Sequence, residues 1–354
     1  MDNKIKIGFT LGDVNGIGPE VLIKALEDKR ILGICTPVIY GSNRIISFYK
    51  KMINAEGFSY TTCATADQAN SKAVNIINCI TEEIILTPGQ ETEVGAKAAL
   101  VSLEAASDDL INGKIDALVT APINKNNLHT VGFKYPGHTE YFNARANNKE
   151  SVMMLMNENL RVGLVTNHLP LKDVAGAITR ELILQKIQII YQTLKQDFAL
   201  FNPTIAVLGL NPHSGDNGLL GQEEKNIIIP AIKEAQDKKI LAVGPFSADG
   251  FFGSGNYQQF DAILAMYHDQ GLVGFKSCSF GRGINFTAGW PFVRTSPDHG
   301  TAYDLAGKNT ASADSMLHAI YAAIDICQNR ADYLESTKNP LKRTYVEAER
   351  GKVM

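Results

Sequence analysis

Several features are scarce or missing in this chain of 354 residues. Its five cysteines, Cys35, Cys63, Cys79, Cys278 and Cys327, are odd in number and show no C-x-x-C spacing. They read as reduced core or surface thiols of a cytoplasmic protein rather than as a disulfide framework. No apolar run approaches the roughly 20 residues that a membrane span needs. The opening MDNKIKIGFTLGD has only a short apolar run before Gly12 and Asp13, so neither a signal peptide nor an anchor is expected, and no membrane partner. Net charge is -3 and no basic stripe stands out, which argues against nucleic acid as a partner. Small anionic substrates are not excluded, because local charge matters more than the total. No internal repeat and no low-complexity segment occurs.

What is present is an ordinary globular composition, 45% hydrophobic and 20% charged, on a chain long enough for two domains. KIKIGFTLGD reads as a strand, and VNGIGPEVLIKALED as a loop entering a helix with Pro19 and Glu20 in its first turn. TPVIYGS is a second strand. VGAKAALVSLEAASDDLIN has helical periodicity, closed by Gly113. KIDALVTAP is a further strand. Helices and short β-rich runs alternate through Ile326, which predicts an α/β fold with a mostly parallel sheet. The polar end NPLKRTYVEAERGKVM reads as a surface helix or a loose tail.

Three apolar runs each deliver one imidazole at the carboxyl end: NLRVGLVTNH at His168, TIAVLGLNPH at His213 and FDAILAMYH at His268. Ligands collect beyond the carboxyl ends of strands in parallel α/β sheets, so the three rings are expected at one crevice. Separations of 45 and 55 residues exclude a local zinc finger and fit a site assembled from separate βα units. Three neutral imidazoles suit a borderline metal and leave a coordination position open for substrate. Asp249, in GPFSADGFFG, is a further ligand, an orienting partner for a ligating histidine, or a plain turn aspartate.

Other loops carry chemistry-bearing residues. GDVNGIGPE matches neither G-x-G-x-x-G nor G-x-x-x-x-G-K-[ST], and a tight strand-to-helix turn explains its glycines. Lys125 follows a strand end in VTAPINKNN, placed to bind an anion or move a proton, or simply solvated. His138 and Thr139 stand in a turn entering a helix, where free N–H groups and a hydroxyl suit a phosphate or carboxylate. Lys276 and Arg294 flank an apolar stretch with Asn285 between them, a set able to fix two anionic groups, with Arg282 as the competing cation. SPDHGTAYDLAGKN is a long turn-rich loop suited to wrapping a ligand.

These motifs, in the order GDVNGIGPE, TAPINK, GHTEYF, TNHLPL, NPHSGDNG, MYHDQG and RTSPDHGTAYDLAGKN, make nearly the whole chain resemble the 4-hydroxythreonine-4-phosphate dehydrogenase family of vitamin B6 biosynthesis. One departure is Val14-Asn15, where the family is expected to carry Pro-Ala. The resemblance implies the two-domain fold of the isocitrate and isopropylmalate dehydrogenases, which fits the absent G-x-G-x-x-G. It implies a first domain of residues 1–127 plus 281–354, a second of 128–280, and an active site in the cleft between them. It further implies a homodimer whose metal site takes ligands from both subunits.

Carried over residue by residue, the family's metal ligands fall on His168, His213 and His268, and its substrate-binding positions on His138, Thr139, Lys276, Asn285 and Arg294. The adenine-side NAD loop falls on His299 to Lys308, with His299, Gly300, Thr301 and Asp304 at the cofactor. The implied cofactors are NAD, with NADP not separated from it, and one divalent metal drawn from zinc, cobalt, magnesium and manganese. The implied reaction is oxidation of 4-phosphooxy-L-threonine at C3, then loss of carbon dioxide to give 3-amino-2-oxopropyl phosphate. Asp249 and Lys125 are the candidate proton acceptors. The rival readings are a paralogue acting on erythronate or threonate 4-phosphate, a three-histidine metal hydrolase without nicotinamide, and a binding protein that has lost catalysis.

Overall fold

The computed structural model describes residues 4–279 and 281–340. The polar tail from 341 onward lies outside these residues. Strands are β1 (Ile5–Thr10), β2 (Cys35–Gly41), β3 (Tyr60–Cys63), β4 (Val74–Asn78), β5 (Ala117–Val119), β6 (Val152–Met156), β7 (Arg161–Leu164), β8 (Thr204–Leu208), β9 (Leu241–Phe246), β10 (Ala262–Ala265), β11 (Ile284–Ala288) and β12 (Val293–Pro297). They form one sheet in the order β3-β4-β2-β1-β5-β12-β11-β6-β7-β10-β8-β9.

The sheet is mostly parallel, as the alternation of elements predicts. β3, β4, β2, β1, β5 and β12 form one parallel block. β7, β10, β8 and β9 form another. Between them β11 pairs antiparallel with β12 and with β6, and β6 antiparallel with β7. Three successive reversals leave the two blocks running in opposite senses. This is a two-domain α/β fold in which the domains share a sheet through its antiparallel middle. Strands buried on both faces read as continuous apolar runs, and β2 is buried at every position.

Local elements follow from their residues. The helix Gly18–Leu26 begins at Ile17 with proline in its first turn and no side-chain cap. Its entry is secured by the Ile17 N–H, which donates to the Thr301 carbonyl at 2.9 Å. Glu20 is fully buried and is held by Lys24 at 2.8 Å and by the Ala311 N–H at 3.2 Å, a stronger demand than a first-turn acid on a helix surface. The helix Glu93–Ile111 is capped by the Thr92 hydroxyl, and Gly113 follows it with φ +68°. The long helix Asp314–Thr337 lies against β12, β5 and β1. The cysteines of the chain are all free thiols. Among the described residues no helix is long and apolar enough to cross a membrane.

Candidate active site

Opposed blocks place their carboxyl ends at opposite edges of the sheet. The cleft that gathers most of the residues singled out in the sequence, about 330 Å³, therefore does not sit beyond one row of strand ends, as expected for an all-parallel sheet. It lies over the face of the antiparallel middle. Its floor is made by alternate residues: Arg294 and Ser296 of β12, Asn285 and Thr287 of β11, and Met153 of β6. Register puts these on one face, with Asn285 opposite Ser296 and Thr287 opposite Met153. Loops reach over this face from both edges: Thr120 to Ile123 and Lys125 after β5, Asp298 to Gly300 after β12, and His168 after β7.

Arg294 is the chemical centre of the floor. It is 4% exposed, and its only hydrogen-bonding partner among the described residues is the Thr120 hydroxyl, which accepts from Nε at 3.0 Å and Nη2 at 2.5 Å. The Phe142 ring lies 5.8 Å from the guanidinium carbon. Burial without a carboxylate pulls its pKa down to about 9. A buried cation lacking a counter-charge is a standing demand for an anion.

The surrounding groups share that character. Asn124 caps the helix Lys125–Thr130 and so places Lys125 at the rim. His138 and Thr139 open the helix His138–Arg145, whose N-cap Gly137 offers no side-chain acceptor to the first N–H groups. His138 Nε2 is buried with no hydrogen-bond partner. Burial, then the charges of Arg294 and Lys125, push the His138 pKa well below its ordinary value. Lys276, on the helix His268–Ser279, stands 3.5 Å from Asp298. Burial raises the Asp298 carboxyl while the Lys276 ammonium opposes that rise.

Beside this anion-seeking floor stand two imidazoles. The His168 and His268 rings are 5.6 Å apart, because β7 and β10 are neighbours in the sheet. His168 Nδ1 lies 3.5 Å from Glu140, and His268 Nδ1 lies 2.7 Å from Asp269. A carboxylate at Nδ1 fixes each ring and leaves Nε2 to act as a donor toward a metal, so this pair fits half of a divalent site. His213 does not join them. It sits in a turn of residues with positive φ after β8, against which the helix Ala248–Gly253 packs. Asp249 of that helix accepts from the Ser247 hydroxyl at 2.5 Å, the main reason its carboxyl is held below the usual range. Among the described residues no three His, Cys, Asp or Glu side chains enclose one metal position. The three strand-end histidines therefore form no single cluster among the described residues of this chain: His168 and His268 are neighbours, and His213 follows β8 in a turn of positive φ.

The SPDHGTAYDLAGKN loop folds onto the first glycine loop. Thr301 receives the Ile17 N–H, and the Tyr303 hydroxyl donates to Asp13 Oδ2 at 2.7 Å. Asn15 is a tie point: its Oδ1 accepts from the Thr87 N–H at 2.9 Å and its Nδ2 donates to the Thr92 hydroxyl at 2.8 Å. His299 and Gly300 line the cleft, whereas Thr301 and Asp304 do not. His299 Nε2 is buried without a partner, an open position at the cleft edge that suits a polar cofactor.

Of the residues singled out in the sequence, Lys125, His138, Thr139, His168, Lys276, Asn285, Arg294, His299 and Gly300 line the one cleft. His268 adjoins it through His168, and Arg282 lines a separate pocket with His318. Thr120, Glu140 and Asp298 were not singled out, although each lies inside a quoted motif. Their signal is a pairing across the fold, which no spacing along the chain reveals.

A family model described as "Pyridoxal phosphate biosynthetic protein PdxA" matches residues 33–323. The chain belongs to the PdxA family. A 4-hydroxythreonine-4-phosphate dehydrogenase of Bacteroides thetaiotaomicron is 48% identical over 347 residues, covering 98% of this chain and 95% of the relative. The crystal structure of a 4-hydroxythreonine-4-phosphate dehydrogenase from Klebsiella pneumoniae is similar with a TM-score of 0.80 and 32% identity, over 92% of this chain and 99% of that one. A PdxA relative from Oceanobacillus iheyensis, provisionally named a D-threonate 4-phosphate dehydrogenase, is 37% identical over 93% of this chain and all of its own length.

Proposed function

We propose that this chain is a metal- and NAD-dependent dehydrogenase that oxidises 4-phosphooxy-L-threonine at C3 and releases carbon dioxide, giving 3-amino-2-oxopropyl phosphate for pyridoxine 5′-phosphate synthesis in the cytoplasm. The observation that carries this reading is Arg294, a buried cation whose only hydrogen-bonding partner among the described residues is a hydroxyl, on the floor of a cleft lined by His168, whose ring neighbours His268.

Arg294, His138, Thr139, Lys276 and Asn285 hold the phosphate and carboxylate of the substrate. Arg294 supplies a planar donor pair at the floor, and neutral His138 supplies one donor without adding a second buried charge. Lys276 reaches in from the rim, and Asp298 limits its swing. His168, His213 and His268 would hold the divalent ion, which would supply a lowered pKa to a substrate hydroxyl. His168 and His268 come from one side, and His213 is supplied across a dimer interface. Exposed Leu219, Leu220, Leu241 and Val243, around and beyond the His213 turn, support burial of that surface by a second copy. Such an interface brings Asp249 with His213, so Asp249 and Lys125 both stand as acceptors for the hydroxyl proton. His299, Gly300, Thr301 and Asp304 would hold NAD, or NADP, which would supply the hydride acceptor. The domains run 1–127 with 281–354, and 128–280.

The relative from Oceanobacillus favours one second reading, a four-carbon sugar-acid phosphate with hydroxyl in place of the C2 amine. The experiment that tests both is an assay of NADH formation with 4-phosphooxy-L-threonine and with threonate 4-phosphate, with and without a chelator. Turnover of the amine substrate that stops on chelation supports the proposal. Exclusive turnover of the sugar acid moves it to the second reading, and NADH formation with neither overturns both.

A further inference from the structure

Six consecutive residues after β8 have positive φ: His213 (54°), Ser214 (51°), Gly215 (77°), Asp216 (41°), Asn217 (54°) and Gly218 (98°). Four of them carry a Cβ, and each meets the crowding that ordinarily keeps L-residues right-handed. Such a run persists only where neighbouring structure over-determines it. Here the determinant is Glu224, which opens the π-helical turn Glu224–Ile228. Its side chain is buried, and no cation among the described residues pairs with it. Instead, Oε1 accepts from the Leu210 N–H at 2.8 Å and the Asn211 N–H at 2.7 Å, and Oε2 accepts from Asn211 Nδ2 at 3.0 Å. The turn then closes round the carboxylate so tightly that a Cβ on Gly215 would stand 2.5 Å from Oε2.

A buried carboxylate without a cation weakens a fold unless its hydrogen bonds are complete. This one spends all its bonds on the two residues that launch the His213 turn. Gln270 braces the same place from the other side: Nε2 donates to the Gly209 carbonyl at 2.6 Å, while Oε1 accepts from the Met266 N–H at 2.7 Å, two residues before His268.

We propose that Glu224 is a positioning residue for metal binding, holding the left-handed turn that projects the His213 imidazole from the end of β8. The proposal rests on His213 being a metal ligand, and the test separates the two claims. Co(II) binding to the full-length protein is followed by calorimetry and by the visible absorption of the bound ion, for His213→Ala, Glu224→Ala and the double variant. Circular dichroism and binding of inorganic phosphate monitor fold and cleft. Glu224→Ala is expected to weaken Co(II) binding at least tenfold and to shift the absorption as His213→Ala does. The double variant is expected to be no worse than His213→Ala alone, and phosphate binding to stay within twofold of the parent. Glu224→Gln, which keeps one acceptor oxygen, is expected to recover part of the loss. Parental Co(II) affinity in Glu224→Ala, with affinity lost in His213→Ala, overturns the proposal and leaves the ligand assignment standing. Parental affinity in His213→Ala removes the ligand assignment and the proposal with it. Should Glu224→Ala fail to fold, Asn211→Ala removes one of the three donors and spares the carboxylate. A several-fold loss there supports the proposal, and unchanged affinity overturns it.

Discussion

Arg294 lies in β12 and Thr120 directly follows the neighbouring β5, and the guanidinium gives two of its donors to the Thr120 hydroxyl while meeting no carboxylate among the described residues. The unliganded protein therefore carries an uncompensated buried charge. Arg294→Met should leave the unliganded protein as stable as the parent or more so, because an apolar side chain of similar length removes a desolvated cation. The same variant should bind the phosphorylated substrate about 100-fold more weakly, roughly 3 kcal/mol, through loss of a charge-assisted pair. Denaturant midpoints and calorimetric affinity check the two arms. A destabilised variant with intact affinity would make Arg294 a structural residue.

His138 adds a pH dependence of definite sign. Its folded pKa lies well below the ordinary value, by burial first and then by Arg294 and Lys125. An unfolded histidine takes its proton near pH 6.5. Between that value and the depressed folded one, the unfolded chain binds a proton that the folded chain refuses, so stability falls as pH drops. The slope from this residue reaches at most about 1.4 kcal/mol per pH unit. Unfolding free energies from urea titrations at pH 7.5 and 5.5 should therefore separate more in the parent than in His138→Gln, by about 1 kcal/mol. Equal separations would mean the ring is freely protonated in the fold.

Much of this architecture is legible along the chain, and the limits have physical causes. β1, β2, β5 and the helix Glu93–Ile111 announce themselves through apolar runs, helical periodicity and Gly113. The residues that line the cleft stand in short motifs at element ends, so Lys125, His138, Lys276 and Arg294 are visible one by one. What the chain hides is direction. β11 and β6 look like any other short apolar strands, and nothing local says that they run against their neighbours. That reversal decides that the cleft overlies a sheet face, with Asn285 and Arg294 as floor residues. His213 is legible as a strand-end imidazole, whereas the positive φ of its turn depends on Glu224, eleven residues later. The Asp13–Tyr303 bond spans nearly the whole chain and leaves no trace in either motif.

That bond carries the third prediction. Asp13 is 1% exposed, and besides Tyr303 it is met by the Asn15 N–H at 3.0 Å and by Asn127 Nδ2 at 3.5 Å. Tyr303→Phe removes its shortest partner and should lower stability by about 1–2 kcal/mol. The tie joins the first glycine loop to the proposed dinucleotide loop. Loosening it should raise KM for NAD several-fold and leave kcat within twofold, because no reacting atom is touched. A fall in kcat with unchanged KM would place Tyr303 at the chemistry instead.

Gly16 tests the same junction by the opposite means. A Cβ there would stand 2.8 Å from the Thr301 carbonyl oxygen and 3.1 Å from Thr301 Cβ. The obstructing atoms are mainly backbone and cannot swing aside, so Gly16→Ala must push the two loops apart or break the adjacent bond from the Ile17 N–H to Thr301. Overpacking of this kind costs about 1–3 kcal/mol. Because Tyr303→Phe and Gly16→Ala loosen one contact surface, their effects on NAD affinity should fall short of additive, as for neighbouring residues that share partners. A double-variant cycle on NAD affinity measures this directly. Strict additivity would show that the glycine loop and the Tyr303 loop act on the cofactor independently, and would remove the junction as the element that holds the dinucleotide site in place.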